Sequence, residues 1–159
     1  MKSLEPAGLD FFATAPLQVS ASVQLRATPA RVFAAFADAA DWLRWWPMMT
    51  SCAWTRDTAA VGAEREVAVR LLGRFRERMI AWQPGARFAF TMIGSTSPMA
   101  TQLAEDYRLA ADGSGTRLEW TLAAQPTTLG KLTAPVMRRT MLRMFQRGIA
   151  SLDRLLAAH

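Results

Sequence analysis

Alternating apolar and polar residues define the first ordered part of the chain. In residues 17–27, LQVSASVQLRA, apolar side chains occupy the odd positions from Leu17 to Leu25 and polar side chains the even positions from Gln18 to Arg26. A period of two is typical of a strand with one buried face. The preceding residues 1–16 have two prolines and no period, so we expect an irregular leader followed by a single domain over residues 17–159.

A helical pattern follows this strand in residues 28–46, TPARVFAAFADAADWLRWW. Thr28 is a suitable N-cap, and Pro29 fits the first helical position because that position needs no backbone N–H donor. The apolar residues that follow recur at helical spacing. We expect two short helices, with a break near Asp38 and an end at Pro47.

Six short runs with strand character then fill residues 50 to 125. They read SCAWTRD, EREVAVRLL, FRERMIAW, RFAFTMI, QLAEDYRLA and TRLEWTLAA. Turn sequences such as QPGA and DGSG separate them, and these supply the glycine and proline that tight turns require. Short consecutive strands favour an antiparallel sheet over βαβ units, which gives seven strands in all.

The final segment, residues 127–159, predicts a long amphipathic helix. Proline cannot donate an interior helix hydrogen bond, so we expect this helix to be kinked at Pro135 or to begin there. One face carries apolar residues at helical spacing and another carries arginines. The apolar residues are Met137, Met141, Met144, Phe145, Gly148, Ile149, Leu152, Leu155 and Leu156, and the arginines are Arg139, Arg143, Arg147 and Arg154.

This order of elements predicts an α+β architecture. A curved, seven-stranded antiparallel sheet would wrap around the long C-terminal helix, with two short helices between the first and second strands. Such a sheet encloses a chamber between its concave face and the helix, unless large side chains fill the space.

Three stretches resemble the polyketide cyclase/dehydrase-like members of the START/Bet v 1-like (SRPBCC) superfamily. They are VSASVQLRATPARVFAAFADAADWLRWWP, the run VGAEREVAVRLL…ERMIAWQPGARFAF, and DGSGTRLEWTLAA followed by the arginine-rich helix. The similarity covers roughly residues 17 to 157. It implies a helix-grip fold and a ligand such as a lipid, polyketide, quinone or steroid, with catalysis in only some members.

Composition removes several kinds of chemistry. The chain of 159 residues has one cysteine, Cys52, and one histidine, His159 at its end, so a disulfide, a zinc site and a histidine general base are excluded within the domain. Cys52 is expected to be a buried structural thiol rather than a nucleophile. No nucleotide-binding glycine motif is present, and we expect no cofactor.

The net charge of +6 has two readings. It allows an anionic partner, and it also follows from the arginine-rich usage of a GC-rich genome. The helix arginines could meet phosphates, but acidic residues are interspersed and no aromatic-basic stacking motif appears. We therefore expect a solvated face and no nucleic acid partner. The N-terminus has no apolar run long enough for a signal peptide or membrane span, so we expect a cytoplasmic protein.

Three polar residues share strand faces with apolar ones. In QLAEDYRLA, Glu105 and Tyr107 have the parity of Leu103, and Glu77 has the parity of Met79. Their side chains are predicted to point into the chamber. There they could orient a ligand or exchange protons with it; alternatively, they lie at strand ends or pair with arginines.

The methionines and aromatic residues are candidates for the chamber wall, although the simplest role of the helix methionines is core packing. In DWLRWWPMMTSC, Trp42 and Trp46 share a helical face and are expected to pack, whereas Trp45 is rotated toward the edge. The residues expected to contact a ligand are Met48, Met49, Phe88, Phe90, Met92, Tyr107, Trp120, Met137, Met141 and Phe145.

Three functions follow from these patterns. The first is binding of a small hydrophobic or amphipathic molecule in the chamber. The second is a cofactor-independent cyclase or dehydratase that uses Glu105, Tyr107 or Glu77 for proton transfer. The third is a lipid or quinone carrier whose basic helix face docks on an anionic membrane. The sequence contains no signal that sets the oligomeric state.

Overall fold

A curved antiparallel sheet and a long C-terminal helix dominate the computed structural model, which describes residues 1–56 and 59–158. Asp57, the last residue of the predicted strand SCAWTRD, and His159 lie outside the described residues. The elements are β1 (Lys2–Ser3), α1 (Phe11–Thr14), β2 (Leu17–Leu25), α2 (Pro29–Ala37), α3 (Ala39–Trp45), β3 (Met49–Trp54), β4 (Glu64–Val69), β5 (Gly73–Gln83), β6 (Arg87–Ser95), β7 (Ala100–Asp112), β8 (Gly115–Pro126) and α4 (Thr128–Ala157).

The seven long strands form one sheet in the order β2-β8-β7-β6-β5-β4-β3. Every neighbouring pair is antiparallel. Strand β2 does not pair with β3, the next long strand in sequence, because α2 and α3 carry the chain to the other edge of the sheet. The predicted α+β architecture, with its seven strands and two short helices, is confirmed.

Helices α2 and α3 begin and end where the sequence indicates. Pro29 is the first residue of α2, and Thr28 holds the N-cap position in an extended conformation without a side-chain hydrogen bond. Asp38 separates the two helices, and its carboxylate accepts a hydrogen bond from Ala40 N. That bond satisfies one of the free N–H groups at the start of α3.

Helix α4 begins earlier than Pro135. Thr127 is its N-cap, accepting a hydrogen bond from Gly130 N, and the helix continues through Pro135 to Ala157. A side chain at residue 130 would collide with the Met99 carbonyl oxygen, so Gly130 lets the helix start directly against the turn between β6 and β7. The C-terminal half of α4 holds most of its buried residues, among them Phe145 and Ile149.

Residues 1–16, predicted to be irregular, contain β1 and the helical turn α1. The paired part of β6 and β7 ends at Thr91 and Ala104, and beyond that point the N-terminal segment bridges the two strands. Leu4 N donates to Ile93 O of β6, and Glu5 N donates to Thr101 O of β7. This segment therefore closes the split that opens in the sheet.

The convex face of the sheet is covered by the same segment. A small apolar cluster joins the N-terminal residues Ala7, Phe12 and Ala15 to alanines on β5, β6, β7 and β8, which are Ala81, Ala89, Ala104 and Ala123. Small side chains at these outward positions let the segment lie close to the strands. The main core lies on the opposite, concave face and includes residues from α2, α3 and α4.

Candidate ligand-binding site

An apolar cavity of about 110 Å³ lies between the concave face and the first half of α4. Its wall combines apolar side chains of the sheet, of the helix and of the N-terminal segment. The sheet contributes Val19, Phe75, Leu103, Leu122 and Ala124, the helix contributes Ala134, Met137 and Met141, and the N-terminal segment contributes Leu4. Arg138, Ser95 and Ser97 are the wall residues that have polar side chains.

Polar groups follow directly behind the cavity wall. Phe75, Leu103 and Leu122 line the cavity on β5, β7 and β8. Because successive inward positions on a strand are two residues apart, the next ones on these strands are Glu77, Glu105 and Trp120. On these strands, two carboxyl groups and an indole N–H therefore occupy the inward positions next to those of the cavity wall.

Glu105 is held by two neighbouring hydrogen-bond donors. Its Oε2 accepts a bond of 2.8 Å from the Tyr107 hydroxyl and one of 2.9 Å from Trp120 Nε1. The registers of β7 with β8 place all three side chains on the concave face. Phe145 of α4 stacks on the Trp120 ring with centroids 4.5 Å apart, so the long helix fixes the donor that holds the carboxyl.

The environment of Glu105 raises its pKa to about 7. Burial is the main cause, and the negative charge of Glu77 adds to it, while the bonds from Trp120 and Tyr107 act in the opposite direction. Burial also raises the pKa of the Tyr107 phenol well above its usual value, so that hydroxyl remains a donor. Near neutral pH the Glu105 carboxyl can therefore either give or take a proton.

A buried ion pair lies on the same face. Arg65 of β4 is opposite Glu77 of β5 in the register, and its Nε donates to Glu77 Oε2. Arg65 is 0% exposed and Glu77 is 3% exposed. Burial raises the pKa of the Glu77 carboxyl, whereas the Arg65 charge favours its ionised form. We call Arg65, Glu77 and Glu105 the polar row.

Aromatic rings surround the Arg65 guanidinium. Its central carbon lies 4.3 Å from the ring centroid of Trp42 and 4.9 Å from that of Phe90. Such cation–π contacts offset part of the cost of burying the charge. The Nη1 and Nη2 atoms of Arg65 have no hydrogen-bond partner among residues 1–56 and 59–158, which leaves donor capacity inside the fold.

The sequence-predicted site residues fall into three groups. Met137 and Met141 line the cavity. The candidates Phe88, Phe90, Met92, Tyr107, Trp120 and Phe145 are buried in the core around the polar row. Met48 and Met49 were expected to contact a ligand, but Met48 is exposed on the surface with a left-handed backbone and Met49 packs at the edge of the core.

The tryptophans of residues 41–52 form one packed group. Trp42, Trp45 and Trp46 are all buried. The expectation that Trp45 turns toward the edge is wrong, because Trp45 is 2% exposed and its ring centroid lies 5.8 Å from that of Phe36 of α2. Trp42 donates from Nε1 to the Phe36 carbonyl. Of these three rings, Trp42 lies against the Arg65 guanidinium.

Most of the cavity wall, including Phe75 and Leu122, was missed in the sequence analysis, and so was Arg65 of the polar row. Arg65 shares the parity of Val67 and Val69 on β4, and that parity was the available signal. Burial raises the pKa of the Cys52 thiol to about 11, so Cys52 is a protonated thiol at neutral pH, in keeping with a structural role. No group of three or more metal-ligating side chains occurs in the part of the chain that the structure describes.

Fold and site together define a class of protein. A curved antiparallel sheet that grips a long C-terminal helix, with a cavity between them, is the helix-grip architecture of the START/Bet v 1-like superfamily, whose members generally bind ligands. The chain belongs to the polyketide cyclase/dehydrase and lipid transport family, whose family model matches residues 16–157.

Relatives in sequence come from mycobacteria. The uncharacterized protein Mb2604 of Mycobacterium bovis is 36% identical over 126 residues, which cover 77% of this chain and 74% of the relative. The uncharacterized protein Rv2574 of Mycobacterium tuberculosis matches to the same extent, with 36% identity over 126 residues.

Solved structures share the fold at low identity. TTHA0849 from Thermus thermophilus has a TM-score of 0.75 at 18% identity, over 89% of this chain and 98% of that one. A START superfamily protein from Mycobacterium smegmatis has a TM-score of 0.70 at 13% identity, over 87% and 98%. Ara h 8.0201 has a TM-score of 0.68 at 12% identity, over 90% and 99%.

The Glu105 environment predicts a pH-dependent stability. The folded protein keeps the Glu105 proton up to about pH 7, whereas an unperturbed carboxyl releases it near 4.5. The folded state binds more protons in this interval, so stability falls as pH rises through it. The unfolding free energy of wild type minus that of Glu105→Gln should decline by on the order of 3 kcal/mol and level off above the folded pKa.

Chemical denaturation at successive pH values measures this difference. Glu119→Gln, at an exposed position of the neighbouring strand β8, is the matched control. A wild-type minus Glu105→Gln difference that stays flat with pH would contradict the assigned environment.

Proposed function

We propose that the protein binds a small amphipathic molecule between the sheet and α4, with the apolar body in the cavity and a polar group directed to Glu105. The observation that carries this proposal is the order of side chains along three strands. Phe75, Leu103 and Leu122 line the cavity, and the next inward positions on these strands are Glu77, Glu105 and Trp120. Apolar walls with a few convergent polar groups are typical of small-molecule sites.

The size of the cavity limits what enters. Its volume of about 110 Å³ is below the roughly 300–1,000 Å³ of common drug-sized pockets. A ligand is therefore small, or it displaces part of the wall. The first half of α4 is the part that can move most easily, since Gly130 is its buried residue before Met144, and few buried contacts mean a low cost of local opening.

Two matched probes test the orientation of the ligand. Naphthalene and 2-naphthol differ by one hydroxyl, and a hydrogen bond to Glu105 should make 2-naphthol bind roughly three- to tenfold tighter. Ala134→Phe fills the cavity from α4 and should weaken both probes at least about tenfold. Fluorescence titration measures the affinities.

Ala150→Phe is the control for this substitution, because Ala150 is exposed on the same helix and lies outside the cavity wall. Equal affinities for wild type and Ala134→Phe would mean that the probes bind elsewhere. Equal affinities for the two probes would remove the polar group from the proposal.

Cyclase or dehydratase catalysis is the second candidate function, and the chemistry of Glu105 favours it. A carboxyl with a pKa of about 7, held by the Tyr107 hydroxyl, is matched to proton transfer at neutral pH. It would take a proton from a carbon next to a carbonyl and return one to a leaving hydroxyl, so that water is lost. Glu77 is less suited to this role because its carboxylate already accepts a hydrogen bond from Arg65 Nε.

Substitution of the two groups separates catalysis from binding. If the protein cyclises a linear poly-β-ketone, Glu105→Gln should lower the rate by roughly 100- to 10,000-fold and Tyr107→Phe by less, with Glu119→Gln as control. Chromatography of the products against the spontaneous reaction provides the measurement. Unchanged turnover in Glu105→Gln would eliminate this assignment.

A further inference from the structure

Apolar side chains are exposed on the outer face of α4 and at the neighbouring turn between β4 and β5. Leu132 and Val136 are 76% and 70% exposed, and Leu71 at the turn is 89% exposed. Leu71 has a left-handed backbone with φ of 68°, which is uncommon for a residue other than glycine. These side chains are exposed in the monomer, and a partner that covered them would bury their apolar surface.

Arginines continue the same helical stripe. Leu132, Val136, Arg139 and Arg143 follow one another at intervals of four, three and four residues, so they share one face of α4. Arg139 and Arg143 are exposed. We call Leu71, Leu132, Val136, Arg139 and Arg143 the docking surface.

The positive charge of this region is not neutralised by acidic residues. Between Glu119 and Asp153 the chain has no aspartate or glutamate, while it has five basic residues, Lys131, Arg138, Arg139, Arg143 and Arg147. Most arginines of the sheet differ in this respect, since Arg76 and Arg78 pair with Glu66 and Glu64. Within the described residues, no carboxylate forms an ion pair with Arg139 or Arg143.

The docking surface adjoins the opening of the cavity. A surface groove next to Leu71 is also lined by Arg70 and Arg74. This groove and the apolar cavity share Leu72, Ser97, Met99 and Met137 as wall residues. On α4, Met137 borders both spaces and Val136 is the adjacent residue of the docking surface.

We propose that the docking surface binds the face of an anionic lipid bilayer and thereby places the cavity opening against the lipid. The leucines and valine would enter the interface while the arginines meet the headgroup phosphates, as on other amphipathic membrane-binding helices. A second copy of this chain fits poorly, because the same positive face would repel itself. An apolar ligand could then pass between bilayer and cavity without crossing water.

The transfer of ligand rests on the proposed binding function, whereas adsorption to lipid does not. No helix in residues 1–56 and 59–158 is long and apolar enough to cross a membrane. The surface is accordingly proposed to adsorb to the bilayer and not to span it.

Vesicle co-sedimentation of the full chain tests the proposal. We expect binding to vesicles that contain phosphatidylglycerol, weak binding to pure phosphatidylcholine, and a loss at high salt. Val136→Glu and Arg143→Glu should each weaken the binding by at least about tenfold. Equal binding to neutral and anionic vesicles, or binding to neither, would overturn the proposal.

Matched controls come from other faces of the molecule. Val61→Glu changes a valine that is 62% exposed at the opposite end of β4, and Arg117→Glu reverses an exposed arginine of β8. Both should bind vesicles like wild type. If Val61→Glu loses as much binding as Val136→Glu, the effect is only one of net charge and the surface is wrongly assigned.

Two further readouts separate the remaining outcomes. A wild-type dimer in sedimentation velocity that Val136→Glu converts to a monomer would show a self-interface and overturn lipid docking. Titration with 2-naphthol without vesicles reports on the cavity alone: Val136→Glu should keep wild-type affinity there. Vesicle binding by a protein that binds no probe would leave the docking surface in place and remove the proposed function instead.

Discussion

The ion pair of Arg65 and Glu77 lies where the concave face would otherwise close on hydrocarbon. Both groups are almost completely withdrawn from water, and such pairs are often no more stabilising than apolar residues of the same volume. The surrounding structure accommodates the charge in two ways. Glu77 neutralises it across the strand register, and the rings of Trp42 and Phe90 lie against the guanidinium. A fold that retains this pair keeps its interior polar at a cost in stability.

The other parts of the molecule maintain the space beside the polar row. Helices α2 and α3 supply the aromatic wall, and the C-terminal half of α4 fixes Trp120 through Phe145. The N-terminal segment closes the split between β6 and β7, and its Leu4 completes the cavity wall. The first half of α4 is held by few buried residues. The firmly packed region thus holds the polar groups, and the lightly packed region borders the cavity opening.

Local patterns were sufficient to predict the seven long strands, the helices α2 and α3, and the inward direction of several side chains. The alternation in QLAEDYRLA placed Glu105 and Tyr107 beside Leu103, and the structure has all three on the concave face. Arg65 was missed because arginine is usually exposed and because its partner Glu77 is on another strand. The packing of residues 1–16 depends on alanines from four strands, and the cavity volume depends on how distant side chains fill the space. Neither can be found from local periodicity.

The central claim is that the polar row meets the polar group of a ligand whose apolar part fills the cavity. The most direct measurement is a carbon-13 NMR titration of the Glu105 carboxyl, assigned by its absence in Glu105→Gln, in the free protein and with 2-naphthol or naphthalene bound. The account predicts a midpoint of about 7 in the free protein, displaced by 2-naphthol differently from naphthalene. A midpoint near 4.5, or one that 2-naphthol leaves unmoved while it occupies the cavity, would contradict it.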